Sequence, residues 1–153
     1  MNKTIIYNIN DLPAIVAELK ELMQTHRIFA FTGSLGAGKT TLVRSLLQAC
    51  GVTGVISSPT FTYVNIYTAV HPECSPTGNV SKGGQKFYHF DLYRIINVQE
   101  FIDAGFDEYL NDPQAYIFIE WPEVIMPLLK NNVCFISLEY VSEDQRSITI
   151  SGI

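Results

Sequence analysis

The sequence predicts a three-layer α/β fold on a mixed, mainly parallel β-sheet, and three observations carry that expectation. Gly33-Ser34-Leu35-Gly36-Ala37-Gly38-Lys39-Thr40-Thr41 fits the phosphate-loop pattern G-x-x-x-x-G-K-[ST] at every fixed position. The apolar run Ile28-Phe29-Ala30-Phe31 precedes it and the helix-like Thr41-Leu42-Val43-Arg44-Ser45-Leu46-Leu47 follows, so strand, loop and helix stand in the required order. Two further apolar runs, Phe87-Tyr88-His89-Phe90-Asp91 and Tyr116-Ile117-Phe118-Ile119-Glu120, each deliver a carboxylate at a strand end, where open α/β sheets place their ligands. Together they describe a P-loop NTPase-like architecture.

The chain of 153 residues has the length of one domain, so residues 1–153 are expected to form a single unit with a mobile loop at 68–86. Apolar residues make up 47% and charged residues 16%, and no apolar run exceeds a strand in length, which excludes a membrane-spanning class. Cys50, Cys74 and Cys134 are odd in number and widely spaced, a pattern of a reducing compartment, and the expected location is the cytoplasm. The net charge of −5 and the scattered Lys and Arg argue against strong direct binding to nucleic acid. A partner would have to hold such a polymer.

In chain order, Thr4–Ile9 is β-branched and aromatic and reads as a short first strand. Asn10 or Asp11 can cap the helix that follows, whose apolar positions Leu12, Ile15, Val16, Leu19, Leu22 and Met23 recur at helical spacing. Pro13 is tolerated in its first turn. The helix after the phosphate loop ends near Cys50-Gly51, and a turn cluster at Ser57-Ser58-Pro59-Thr60 leads into a strand expected over Phe61–Tyr67. Residues 68–86 carry Pro72, Pro76, Gly78, Gly83 and Gly84, the composition of an exposed loop, and its His71 and Cys74 lack the second pair that a metal site needs. Past the Asp91 strand, Glu100–Leu110 forms two short helical pieces joined at Gly105. A helical stretch runs from Trp121-Pro122 to Leu129, and strands Val133–Val141 and Ser147–Ser151 close the chain as an antiparallel hairpin.

The chemistry follows from the loop. Its glycines allow successive N–H groups to point at phosphate oxygens, and the helix behind it presents the positive end of its dipole. Lys39 is placed to reach the β- and γ-phosphates, and the Thr40 hydroxyl to take one place on Mg²⁺. Ser58 and Thr60 are candidate sensors of the γ-phosphate, although the same residues also make an ordinary turn. A P-loop NTPase needs one strand-end acid for the metal and usually another group to position water, and Asp91 and Glu120 are two acids for those two tasks.

These motifs taken together resemble the TsaE (YjeE) family. The resemblance rests on Gly33–Thr41, Ser58-Pro59-Thr60-Phe61, His89-Phe90-Asp91-Leu92-Tyr93-Arg94 and Glu120-Trp121-Pro122-Glu123, in that order, and covers nearly the whole chain. It implies an ATPase that supports threonylcarbamoyl modification of adenosine in tRNA. It further implies ATP bound through Leu35, Gly36, Ala37, Gly38, Lys39, Thr40 and Thr41, and Mg²⁺ held by Thr40 and Glu120. Lys39, Asp91 and Glu120 are the catalytic residues it points to, with Asp91 near the metal or the attacking water. TsaB-like and TsaD-like partners are implied, with the carbamoyl transfer belonging to the TsaD-like protein. Leu12-Pro13-Ala14-Ile15 departs from the Ser or Thr that family members often place there against the base, so no base-contacting residue is assigned. Two other readings share the loop: a small-molecule or nucleoside kinase, and a protein that uses ATP only to select partners.

Overall fold

The structure, a computed structural model, describes residues 2–70 and 82–152. Its strands are β1 (Lys3–Tyr7), β2 (Ile28–Thr32), β3 (Val64–Ala69), β4 (Gln85–Asp91), β5 (Ala115–Glu120), β6 (Val133–Tyr140) and β7 (Arg146–Gly152). The helices are α1 (Leu12–Leu22), α2 (Lys39–Ala49), α3 (Val98–Asp103) and α4 (Asp107–Leu110). All seven strands join one sheet in the order β1-β7-β6-β2-β5-β4-β3.

The four central strands, β6, β2, β5 and β4, are mutually parallel, and antiparallel pairing is confined to the outside, where β7 joins β6, β1 joins β7 and β3 joins β4. Only β3 and β7 therefore run against the rest, which makes the sheet mixed but mainly parallel. β5 is buried at every position, as expected of a strand with parallel neighbours on both edges and helices over both faces.

Side-chain alternation divides the core into two. Phe29 and Phe31 of β2, with Phe118 of β5, pack on one face against Leu19 of α1 and Leu42 and Leu46 of α2. Ala30, Ile117 and Phe90 face the other way and meet Phe101 of α3 and Ile125. The period of two has a consequence for the site: Phe87, His89 and Asp91 leave one face of β4, and Phe118 and Glu120 the same face of β5. Both acids are thereby aimed at the layer that contains α2.

Several boundaries differ from the sequence reading. β1 stops at Tyr7 because the Asn8 side chain accepts from the Asn10 N–H while Asp11 accepts from the Asn8 N–H, a reciprocal cap on a 3₁₀ turn that runs into α1. Asn8 thus caps the 3₁₀ turn, while Asp11 holds the N-cap position of α1 without a side-chain capping bond to that helix. β3 begins at Val64, since Tyr63 adopts a left-handed φ of 65° that no strand continues through. The β3–β4 hairpin takes up Thr68, Ala69, Gln85 and Lys86, so the loop is shorter than 68–86, and its residues 71–81, with His71 and Cys74, lie outside the described residues. The stretch after Trp121 is a 3₁₀ helix, Pro122–Leu128, with Pro127 inside it removing a backbone donor. The two helical pieces around Gly105 are present as α3 and α4, and Gly105 has φ 77°.

Candidate functional site

The phosphate loop leaves β2 at the C-terminal end of the parallel strands. Gly33 sits at φ 140°, where a Cβ would run into the Leu138 carbonyl oxygen, so β6 itself fixes the need for glycine there. Gly38 is left-handed, φ 101°, and forms the N-cap of α2 without a side-chain cap, which leaves the helix N–H groups directed at the loop cavity.

Lys39 opens α2 and is buried. Its ammonium donates to the Gly33 carbonyl at 2.6 Å and to the Ser34 carbonyl at 3.0 Å, and lies 4.0 Å from the centre of the Trp121 ring. Burial lowers its pKa from the usual 10.5, opposed by the negative charges of Glu120, Glu123 and Asp91. Trp121 is held in a left-handed conformation, φ 56°, at the turn out of β5, and its ring also meets Tyr93 at 4.9 Å between centroids. A non-glycine residue in that region carries local strain of about 1–3 kcal/mol, and such strain concentrates at ligand sites.

Thr40, one residue further on, donates its hydroxyl to Glu120 Oε2 at 2.8 Å. Glu120 Oε1 lies 2.7 Å from Nε2 of the fully buried His89. Beside Glu120 across the β4–β5 ladder stands Asp91. Its Oδ2 accepts from the Ser58 hydroxyl at 3.0 Å and the Thr60 hydroxyl at 3.4 Å, and its Oδ1 from the Tyr93 N–H at 3.1 Å. Asp91 therefore does cap the turn that follows it, but its carboxylate also faces the loop cavity.

That cavity, of about 280 Å³, is lined by Leu35, Gly36, Gly38, Lys39, Thr40 and Thr41 of the loop and helix, and by Ser58, Thr60, Asp91, Glu120 and Trp121 opposite. Ala37 is buried and does not line this cavity, but it does line a second one. This second cavity, of about 520 Å³, shares Gly36, Gly38 and Thr41 with the first and is otherwise lined by Tyr7–Asn10, Leu12, the β6–β7 turn at Glu143 and Asp144, and Arg146 at the start of β7. A ligand with an anionic end on the loop thus has an adjoining chamber for its remainder.

The oxygens of Thr40 and Glu120 suit a hard cation such as Mg²⁺, which takes one or two protein oxygens and fills its octahedron with water and phosphate. Among the described residues, no three His, Cys, Asp or Glu side chains cluster as a self-sufficient metal cage. Sequence reasoning included Trp121 and His89 in its motifs but gave neither a role in the site, although each had a signal. Trp121 is the chain's one tryptophan and directly follows Glu120, and His89 lies two residues before Asp91, on the same face of its strand. Arg94 does not enter the site; it is exposed and stacked over Phe61, 4.6 Å from the ring centre.

The family described as threonylcarbamoyl adenosine biosynthesis protein TsaE matches residues 6–148, nearly the whole chain and all the site residues above. The chain belongs to the TsaE family. It is 32% identical over 147 residues to the tRNA threonylcarbamoyladenosine biosynthesis protein TsaE of Rickettsia felis, covering 95% of this chain and 77% of that one. The TsaE of Bacillus subtilis is 30% identical over 126 residues, 82% of this chain and 70% of its own length. The crystal structure of Bacillus subtilis YdiB superposes with a TM-score of 0.66 over 100% of this chain and 88% of that one; at 23% identity it shows the fold. No helix among the described residues of this TsaE family member is long and apolar enough to cross a membrane.

Proposed function

We propose that the chain binds ATP with Mg²⁺ and hydrolyses it in support of threonylcarbamoyladenosine formation on tRNA, in company with TsaB-like and TsaD-like proteins. One observation carries the reading: Lys39, Thr40, Asp91 and Glu120, from three separate elements, converge on the phosphate loop within a single cavity. The names of the relatives supply the pathway.

The loop N–H groups and Lys39 bind the phosphates, for which the lysine exchanges the Gly33 and Ser34 carbonyls for phosphate oxygens. Trp121 covers the lysine and limits its approach to water. Thr40 and Glu120 would hold Mg²⁺, which neutralises charge on the transferring group when bound. Asp91, set by Ser58 and Thr60, is placed to orient the attacking water and accept its proton. The larger cavity would take the nucleoside, with Tyr7, Asn8 and Arg146 in its wall. With a net charge of −5, tRNA contact would fall to the partners.

The kinase reading is weaker, because no arginine is found among the described residues lining the phosphate cavity, where a kinase lid would supply one. The test is calorimetric titration of ATP with and without Mg²⁺, then phosphate release with and without a TsaB-like and TsaD-like pair. Magnesium-dependent binding and phosphate release are expected. Absence of nucleotide binding would overturn the reading.

A further inference from the structure

Glu120 uses its two oxygens for different things. Oε2 receives at 2.8 Å the hydroxyl of Thr40, which lines the cavity together with Glu120, while Oε1 is 2.7 Å from Nε2 of His89, which is fully buried and outside that lining. A carboxylate can only accept, so Nε2 carries the hydrogen and donates it. The ring is fully buried, and its Nδ1 has no hydrogen-bond partner among the described residues. A buried polar side chain kept for one contact is costly unless that contact matters, since packing alone would be served better by an apolar residue.

We propose that His89 is a positioning residue which engages Oε1 and leaves Glu120 a single oxygen for a cation, so that the site favours Mg²⁺ over Ca²⁺. This rests on the Mg-nucleotide reading above. Mg²⁺ needs a compact octahedron and takes carboxylates through one oxygen, whereas Ca²⁺ accepts more ligands and often takes both. Two-oxygen contact would require Oε1 to leave His89, and the buried N–H would lose its acceptor. The β4–β5 register makes this arrangement possible: Asp91 lies beside Glu120, and His89, two residues earlier on the same face, reaches Glu120 from below.

The experiment uses the full chain and a fluorescent ATP analogue, titrated with Mg²⁺ and separately with Ca²⁺. In His89→Phe the half-saturating Mg²⁺ concentration should rise about 10- to 100-fold, the usual effect of losing a partner that orients a metal ligand. The Ca²⁺ value should move less, narrowing the preference, and His89→Gln, which retains an N–H donor, should restore much of it. Unchanged Mg²⁺ and Ca²⁺ values in His89→Phe would overturn this inference alone. A parent protein whose nucleotide binding ignores Mg²⁺ would overturn the underlying reading and this inference with it.

Should His89→Phe fail to fold, ¹⁵N-histidine spectra of the parent decide, with His26→Asn and His71→Asn for assignment. The Nε2–H tautomer is expected, with a resonance that persists with Mg-nucleotide bound and shifts in Glu120→Gln. The Nδ1–H tautomer would overturn the proposal.

Discussion

Thr40 and Glu120 stand 80 residues apart in the chain, yet the hydroxyl of one donates to the carboxylate of the other across 2.8 Å. The bond joins the first turn of α2 to the end of β5 and ties the two halves of the phosphate cavity together. Both oxygens are of the type that Mg²⁺ prefers, so in the proposed reading this pair would hold the cation.

Glu120→Gln keeps the shape of that side chain and removes its charge. Mg²⁺-dependent ATP hydrolysis is expected to fall by about 10²-fold or more, with a smaller loss of metal-free nucleotide affinity. Thr40→Ala should act in the same direction. Phosphate-release assays beside nucleotide titrations check both, and parent-like hydrolysis in Glu120→Gln would reduce the residue to a structural role.

Lys39 and Trp121 provide an optical readout. The chain has one tryptophan, and the ammonium rests 4.0 Å from the centre of its ring. ATP should draw the lysine toward the phosphates and change the emission of Trp121. Lys39→Met should abolish that titration and weaken binding roughly 10- to 100-fold, the loss of a charge-assisted contact worth about 1.5–3 kcal/mol. The folded-state pKa of Lys39 lies below its unfolded value, so the unfolded chain holds this proton more tightly. Its contribution to stability accordingly improves as pH rises from the folded value toward 10.5. At neutral pH, Lys39→Met should therefore melt no lower than the parent without nucleotide.

Gly33→Ala and Gly36→Ala separate crowding from backbone strain. At Gly33 an added Cβ meets the Leu138 carbonyl, whereas at Gly36, φ 80°, it meets open space. Left-handed backbone alone costs a non-glycine residue about 1–2 kcal/mol. Urea unfolding should show Gly36→Ala destabilised by roughly that amount and Gly33→Ala by clearly more.

Much of this site was legible because its fixed positions answer local demands. The glycines and Lys39 follow from what a backbone needs to hold phosphate, and Asp91 and Glu120 from apolar strands that end in an acid. That both acids leave the sheet on the face toward α2 came from the observed register and packing. The His89–Glu120 contact was not legible in the same way, because it depends on the β4–β5 register. Nor was the larger cavity: Tyr7 and Asn8 meet Arg146 only because β7 brings the chain's two ends together. Asp91's hold on Ser58, 33 residues earlier, likewise arises from tertiary folding.

Cys134 tests the burial of the central sheet. Its thiol is pushed up to about 11 by burial, from an ordinary 9.0. The unfolded thiol ionises first, so the stability gained by burying it neutral is complete below pH 9.0 and is lost as pH climbs toward 11. Alkylation with iodoacetamide at about pH 8.5, read by peptide mapping, should leave Cys134 unmodified in the native protein and label it in urea.

Turnover of the isolated chain should be slow. Lys39 is the one cation among the described residues lining the phosphate cavity, and Arg94, the nearest candidate from sequence, lies over the exposed Phe61 ring instead. In the proposed reaction, charge that builds on the transferring phosphoryl group would be met by Lys39, the loop N–H groups and a metal held by Thr40 and Glu120, with no arginine among the described lining residues. In P-loop enzymes an absent arginine finger costs about 10³ to 10⁵ in rate until a partner supplies one. Docking of a TsaB-like and TsaD-like pair could also move Phe61 and release Arg94 inward, since both side chains are exposed and stack on each other. Phosphate release should then rise by about 10²-fold or more on adding the pair. Arg94→Ala separates the routes: it should abolish the gain if Arg94 itself swings in, and leave it intact if the partner provides the cation. Turnover near 10 s⁻¹ by the chain alone, a median value for enzymes, with no gain on adding partners, would show that the cavity is already complete.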